Sequence, residues 1–326
     1  VRFSSYRTSG GEAGVGVWRG ERLHPVPGVT RLVDLLGDDG SRLRAAGQAA
    51  TAALDLSAAE LLAPVPAPPS IRDFMAFEEH VVTASAAIGL TVDPLWYSQP
   101  VFYFTNPAAV RGPGAGVAIP PGSAALDYEI EVAAVIGREG SDLSPEEAAG
   151  HIAGFMLFCD WSARDLQAAE MRLNLGPAKG KDSANSFGPW LLTADELAPF
   201  ASGRGYDVKL TVTVNAAAYS SGNLADLYWS FGEMISYASR GTRVVPGDIV
   251  GSGTVGTGCI LELSRVHGSD AYPYLRAGDL VRLEGGPLGA IEARVGAARP
   301  PAPLRPDARG HVPGNVHVPG NEETSR

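Results

Sequence analysis

An α+β fold made mostly of β-structure, with a small N-terminal appendage, is what the sequence predicts. Two observations carry this. From Val117 to about Val295, short runs rich in β-branched residues recur between turn signals, and only a few helical stretches interrupt them. Ahead of them, Pro64, Pro66, Pro68 and Pro69 form a stiff connector after a stretch of different character. The expected organisation is an appendage and linker over 1–68, a main domain over 69–298 and a disordered tail over 299–326.

In chain order, Gly14 to Trp18 followed by Gly20 to Leu23 reads as a hairpin, and the Ala- and Leu-rich pattern from Thr30 to Leu62 favours helices. A helical pattern runs from Asp73 to Leu90 and stops at Gly89. Pro100 to Phe104 is a short aromatic strand. Strand-like runs follow at Glu129–Ile136, Val208–Val214, Ile249–Val250, Ile260–Leu263, Leu280–Leu283 and Ile291–Val295. Ser144 with Pro145 starts one helix and Leu227 to Ser239 forms another. Two phrases, Pro246-Gly247-Asp248 and Ala277-Gly278-Asp279, are tight turns that each feed a strand. Arg299 to Arg326 is rich in Pro and Gly and has nothing from which to build a core.

The bulk numbers exclude several classes. Of 326 residues, 45% are hydrophobic and 19% charged, an ordinary composition for a globular enzyme, and the net charge of -10 argues against a nucleic-acid partner. Apolar runs fall short of the ~18 residues of a membrane helix, so no membrane association is expected. The two cysteines, Cys159 and Cys259, lie in apolar surroundings and read as buried, unpaired thiols of a cytoplasmic protein.

The chemistry concentrates in two stretches. Glu129 and Glu131 lie two apart on a predicted strand, so both project from the same face. Carboxylates that close repel unless a proton or a cation separates them, and a hard divalent ion such as Mg²⁺ or Ca²⁺ suits oxygen donors. Asp160 opens Asp160-Trp161-Ser162-Ala163-Arg164-Asp165-Leu166-Gln167. If that segment is helical, Arg164 and Gln167 share its face.

Five phrases in order then resemble the fumarylacetoacetate hydrolase (FAH) superfamily: Asp127-Tyr128-Glu129-Ile130-Glu131, the Asp160 phrase, Gly176-Pro177-Ala178-Lys179-Gly180-Lys181, Ser186-Phe187-Gly188-Pro189-Trp190 and Gly251-Ser252-Gly253-Thr254. The resemblance covers roughly Ile71 to Val295. It implies a mixed β-sandwich or β-roll, a homodimer, and one Mg²⁺, Ca²⁺ or Mn²⁺ ion held by Glu129, Glu131 and Asp160. Lys181 matches the lysine beside that ion. His80 matches the water-activating histidine, with Glu262 as its orienting carboxylate, and histidine suits proton transfer at neutral pH. Arg164, Gln167 and Thr254 are candidate contacts to an anionic oxo-acid substrate.

The implied activity is C–C bond hydrolysis of a small 1,3-dicarbonyl or acylpyruvate-type acid through a metal-stabilised enolate. Decarboxylation or isomerisation of a 2-oxo acid uses the same site, and a non-catalytic binding protein is a third reading. Three departures stand out. Thr83 stands where decarboxylase-type members have a glutamate, and Phe104-Thr105-Asn106-Pro107 lacks the Lys-Pro pair of many members. Alignment by phrase puts Ala76, not Asp73, at a fourth acidic position, which leaves Asp73 outside the expected ligand set.

Overall fold

The structure, a computed structural model, describes residues 1–49, 52–87 and 89–303. From residue 304 the tail, with His311 and His317, lies outside the described residues. Strand exceeds helix, and two sheets carry the fold. The larger has 11 strands among the described residues. Its path runs Arg22–Pro25, Ala13–Arg19, Arg2–Thr8, Asn185–Thr193, Ile152–Asp160, Ile130–Ile136, Ile249–Gly251, Ile71–Phe74 and Phe102–Thr105. The second is five-stranded and is built from Ala217–Asn223, Lys209–Val214, Leu280–Glu284, Ala290–Gly296 and Val117–Ala118.

The central strands are buried on both faces, and alternation along them feeds two cores. Ile130, Val132, Ala134 and Ile136 join Leu210, Val212, Leu283 and Ile291 in the core between the sheets. Ala133 and Val135 join Phe3, Val15, Leu43, Met156 and Phe158 on the opposite face. The N-terminal segment is therefore wedded to the main sheet: Arg2 and Phe3 pair with Leu192 and Leu191, and Ala63 and Val65 of the Pro-rich connector are buried in the second core.

The predicted hairpin forms, with Arg19 opposite Arg22. Ser144 makes a capping box with Glu147, and Pro145 occupies the first turn. Gly247 and Gly278 both have positive φ in the turns that feed their strands.

Four local expectations need correction. Asp73 lies on the strand Ile71–Phe74, and the helix starts only at Glu78. Ile260–Leu263 opens a helix, Ile260–His267, because Asp127 accepts from the backbone N–H groups of Ile260 (2.7 Å) and Leu261 (3.0 Å) at its first turn. Asp160 ends a strand, so it does not share a helix with Arg164, which begins the helix Arg164–Met171. The nine-residue strands Ile152–Asp160 and Asn185–Thr193 are absent from the sequence reading, because two buried faces erase the polar alternation that marks a strand. No helix among the described residues is long and apolar enough to cross a membrane.

Candidate active site

One end of the large sheet gathers three carboxylates from three strands. Asp160 ends the 152–160 strand, Glu131 lies on the 130–136 strand and Asp73 on the 71–74 strand. Each has the sequence parity of neighbours that enter the N-terminal-side core, namely Phe158, Ala133 and Ile71, so all three project from one sheet face. Between the last two strands runs 249–251, where Gly251 pairs with both Ala133 and Asp73. A Cβ on Gly251 would lie 2.3 Å from Asp73 Oδ1, so the missing side chain is the room in which the carboxylates meet. Donor oxygens of Asp73, Glu131 and Asp160 all lie within 4.8 Å of one another, and all three residues are buried.

The group is short of positive charge. Five buried carboxylates, those of Asp73, Asp127, Glu129, Glu131 and Asp160, face two buried cations, Arg164 and Lys181. Arg164 donates through Nε to Asp127 (2.8 Å), through Nη2 to Glu129 (2.7 Å) and through Nη1 to the half-buried Gln167 (3.1 Å). The Lys181 ammonium bridges Glu129 and Asp160. Glu129 is thus held well below the usual carboxylate range: burial opposes ionisation, but Arg164, then Lys181 and His80, outweigh it.

The other three lack such help. Burial, with the charges of Asp73, Asp160 and Glu129, pushes Glu131 well up. Burial also raises Asp160, with Lys181 offsetting only part of it. Asp73 is pushed up to about 6, chiefly by burial, and its carboxyl is close enough to Glu131 to share a proton. Asp73 Oδ1 and Asp160 Oδ1 are buried without a hydrogen-bond donor. Orphaned acceptor oxygens in an acidic pocket are what a hard divalent cation satisfies, so the residues present fit one.

Across from the carboxylates stand two packed helices, Glu78–Ala87 and Ile260–His267. They bring His80 Nδ1 within 3.0 Å of Glu262 Oε2. The ring N–H is not aligned on that oxygen. The sequence's pairing of these two residues is therefore reproduced in space. His80 also lies close enough to Glu129 to lower it, which places the pair beside the acidic cluster.

The structure also brings residues to this place that the sequence analysis does not single out. Asp73, outside the ligand set expected from the sequence, converges with Glu131 and Asp160. Glu129 itself is engaged by Arg164 and Lys181. Arg164 has its Nε and Nη2 committed to Asp127 and Glu129. Thr254 is buried with its hydroxyl 3.5 Å from Glu131 Oε1, and Gly253 donates its N–H to Glu131 Oε2 at 3.0 Å. Tyr103, unremarked in the sequence, donates to Asp160 (2.6 Å) and reaches Asp73 (3.2 Å). The signal for it was its position in the aromatic strand, one side of which had to face the sheet interior.

A family model, the fumarylacetoacetate (FAA) hydrolase C-terminal domain, matches residues 70–296. The chain belongs to the fumarylacetoacetate hydrolase family. A fumarylacetoacetase from Arabidopsis thaliana is 29% identical over 220 residues, 53% of this chain and 52% of the relative. The chain spans about half the length of such curated relatives. Among solved structures, a probable 2-hydroxyhepta-2,4-diene-1,7-dioate isomerase from Mycobacterium abscessus superposes with a TM-score of 0.71 at 24% identity, covering 92% of this chain and 100% of that one. A maleylpyruvate hydrolase from Sphingobium sp. SYK-6, in complex with manganese(II) and pyruvate, gives 0.67 at 22% identity and also covers 92% of this chain and 100% of its own. These likenesses establish the FAH fold. The fold hosts both hydrolases and isomerases, so the reaction has to be argued from the site.

Proposed function

We propose that the protein is a metal-dependent hydrolase that cleaves a C–C bond in a small acylpyruvate-type 1,3-dicarbonyl acid. One observation carries the reading: three buried carboxylates, two of them with an orphaned oxygen, converge near a histidine that lies 3.0 Å from a glutamate. Asp73, Glu131 and Asp160 would hold Mg²⁺, or Mn²⁺ or Ca²⁺ in its place, and Glu129 would steady the set from Lys181 and Arg164. Such an ion would supply Lewis-acid charge to a chelating pair of substrate oxygens. The manganese and pyruvate of the maleylpyruvate hydrolase support this choice.

The chain's own residues do the rest. Glu262 Oε2 lies 3.0 Å from His80 Nδ1, so a ring turned to point its Nδ1–H at that oxygen would keep Nε2 as the basic nitrogen. His80 then removes a proton from the water that attacks the acyl carbonyl. The C–C bond breaks, the acyl group leaves as a carboxylate, and the electron pair stays on the pyruvate carbon as an enolate. His80 returns the proton to that carbon, giving pyruvate. Lys181 lies beside Glu129 and Asp160, where its positive charge favours the enolate oxygen. Burial disfavours its charged form, but Asp160 and then Glu129 outweigh burial and keep it an ammonium.

The partner is thus a small anionic oxo acid, and the family resemblance supports a homodimer, which light scattering checks. The deciding experiment incubates the protein with an acylpyruvate and Mg²⁺ or Mn²⁺ and follows carboxylate, pyruvate and CO₂. Carboxylate and pyruvate in equal amounts, lost with EDTA, are expected. CO₂ release, or a shifted double bond without cleavage, would assign decarboxylation or isomerisation instead. Cleavage indifferent to EDTA would overturn the mechanism.

A further inference from the structure

A second set of metal-ligating side chains lies at the His80–Glu262 pair and has a different chemistry. Cys259 precedes the 260–267 helix, and its thiol donates to Glu262 Oε2 at 3.3 Å, the same oxygen that lies 3.0 Å from His80 Nδ1. One donor atom from each of His80, Cys259 and Glu262 falls within 4.8 Å of the others, and all three residues are buried. We propose that these three residues form a thiolate-containing site for Zn²⁺, separate from the carboxylate site, and that filling it arrests the enzyme.

The spacing suits zinc. Tetrahedral ligation at about 2.0 Å to nitrogen or oxygen and about 2.3 Å to sulfur puts ligand atoms roughly 3.3–3.5 Å apart. The observed 3.0 and 3.3 Å are within a small side-chain adjustment of that. A second observation points to a ligand independently of the thiol: His80 Nδ1 is buried and has no aligned hydrogen-bond partner, although the residue is only 8% exposed.

Charge also balances. Zn²⁺ with a thiolate, a carboxylate and a neutral imidazole makes a neutral unit, which a buried position accepts. Binding would break the S–H bond of Cys259 and release its proton to solvent as the S–Zn bond forms. A hard ion such as Mg²⁺ has little affinity for sulfur, so the two sites divide cations by softness: oxygen-seeking ions go to Asp73, Glu131 and Asp160, and thiophilic ions to Cys259.

The site itself rests on this geometry. That its occupation stops turnover rests on the proposed role of His80, because the ion would take the nitrogen that Glu262 orients. The experiment adds Co²⁺, a spectroscopic stand-in for Zn²⁺, to the full metal-free chain with excess Mg²⁺ present to fill the carboxylate site. A near-ultraviolet thiolate-to-cobalt absorption saturating at one equivalent per chain is expected. It should vanish in Cys259→Ser and persist in Cys159→Ser. Absence of the band in the unmodified chain, or its loss in Cys159→Ser with retention in Cys259→Ser, overturns the site.

In parallel, Zn²⁺ is titrated into the Mg²⁺-dependent reaction. Cys259→Ser should need at least about tenfold more Zn²⁺ for half inhibition. Equal sensitivity of the two proteins would place the inhibiting zinc on the carboxylates and overturn the proposed arrest. A cobalt band without inhibition by zinc would uphold the site and refute the arrest, and with it the role given to His80. The band and its stoichiometry in the unmodified chain stay decisive should Cys259→Ser fail to fold.

Discussion

The acidic cluster and the histidine–glutamate pair face each other, but they are built on different supports. Asp73, Glu131 and Asp160 come from strands of one sheet whose backbones are locked by cross-strand pairing and buried on both faces. His80 and Glu262 come from two short helices laid against each other. The first region concentrates more negative charge than its own lysine and arginine can match. The second holds a single carboxylate beside an imidazole and a thiol. A rigid sheet can hold carboxylates at separations they would otherwise escape, and the strain becomes affinity for a cation. Helices that can shift slightly suit a group that must take up and return a proton.

The comparison breaks most sharply at Glu131, the middle carboxylate. Glu131→Ala should reduce turnover to background and also remove the thermal stabilisation by Mn²⁺, read by activity assay and differential scanning calorimetry. If activity falls but Mn²⁺ still stabilises fully, the cation lies elsewhere. His80→Ala probes the other region. It should cost about 10²- to 10⁴-fold in kcat while the thermal shift with Mn²⁺ is retained, because the sheet side is intact. Loss of that shift would mean that the two regions are one metal site.

Gly251→Ala tests the sheet support alone. Its added methyl would press on Asp73, and overpacking of this kind should destabilise the chain by about 1–3 kcal/mol in urea unfolding. Mn²⁺ affinity should weaken with it, while the helix-borne pair is left in place.

The last test is the pH dependence of metal stabilisation. Asp73 is raised in the folded chain from 3.8 to about 6, mainly by burial. A carboxyl raised on folding favours the folded state least once it must ionise, so the metal-free protein should lose stability as pH rises from about 4 through 6. A bound cation reverses this by pairing with the ionised form. Stabilisation by Mn²⁺ should therefore grow across that window, toward about 2.7 kcal/mol at a hundredfold excess over Kd. A metal-induced Tm gain that shrinks between pH 5 and 7 would contradict the charge imbalance described for the sheet side.

Local pattern was enough for some of this. The Glu129-x-Glu131 spacing put two acids on one face, the helix start at Ser144 and Pro145 was plain, and the phrases around Asp160, Lys181 and Gly251 carried the family. The helix at 260–267 was not readable, since four apolar-flanked residues suit strand or helix equally, and the choice was made by Asp127, far away in sequence, holding the first N–H groups. Strands 152–160 and 185–193 were hidden by their own burial.

By itself, then, the sequence determined the residue types that do the chemistry, their order, and which neighbours in a strand point the same way, because side-chain period is a local property of the backbone. Only the tertiary structure decided which acids meet. Asp73 joins Glu131 across a glycine on the strand between them, and Glu129 is drawn off to Arg164 and Lys181. Strand order and register set those distances, and both are fixed by long-range pairing that no window of neighbouring residues contains.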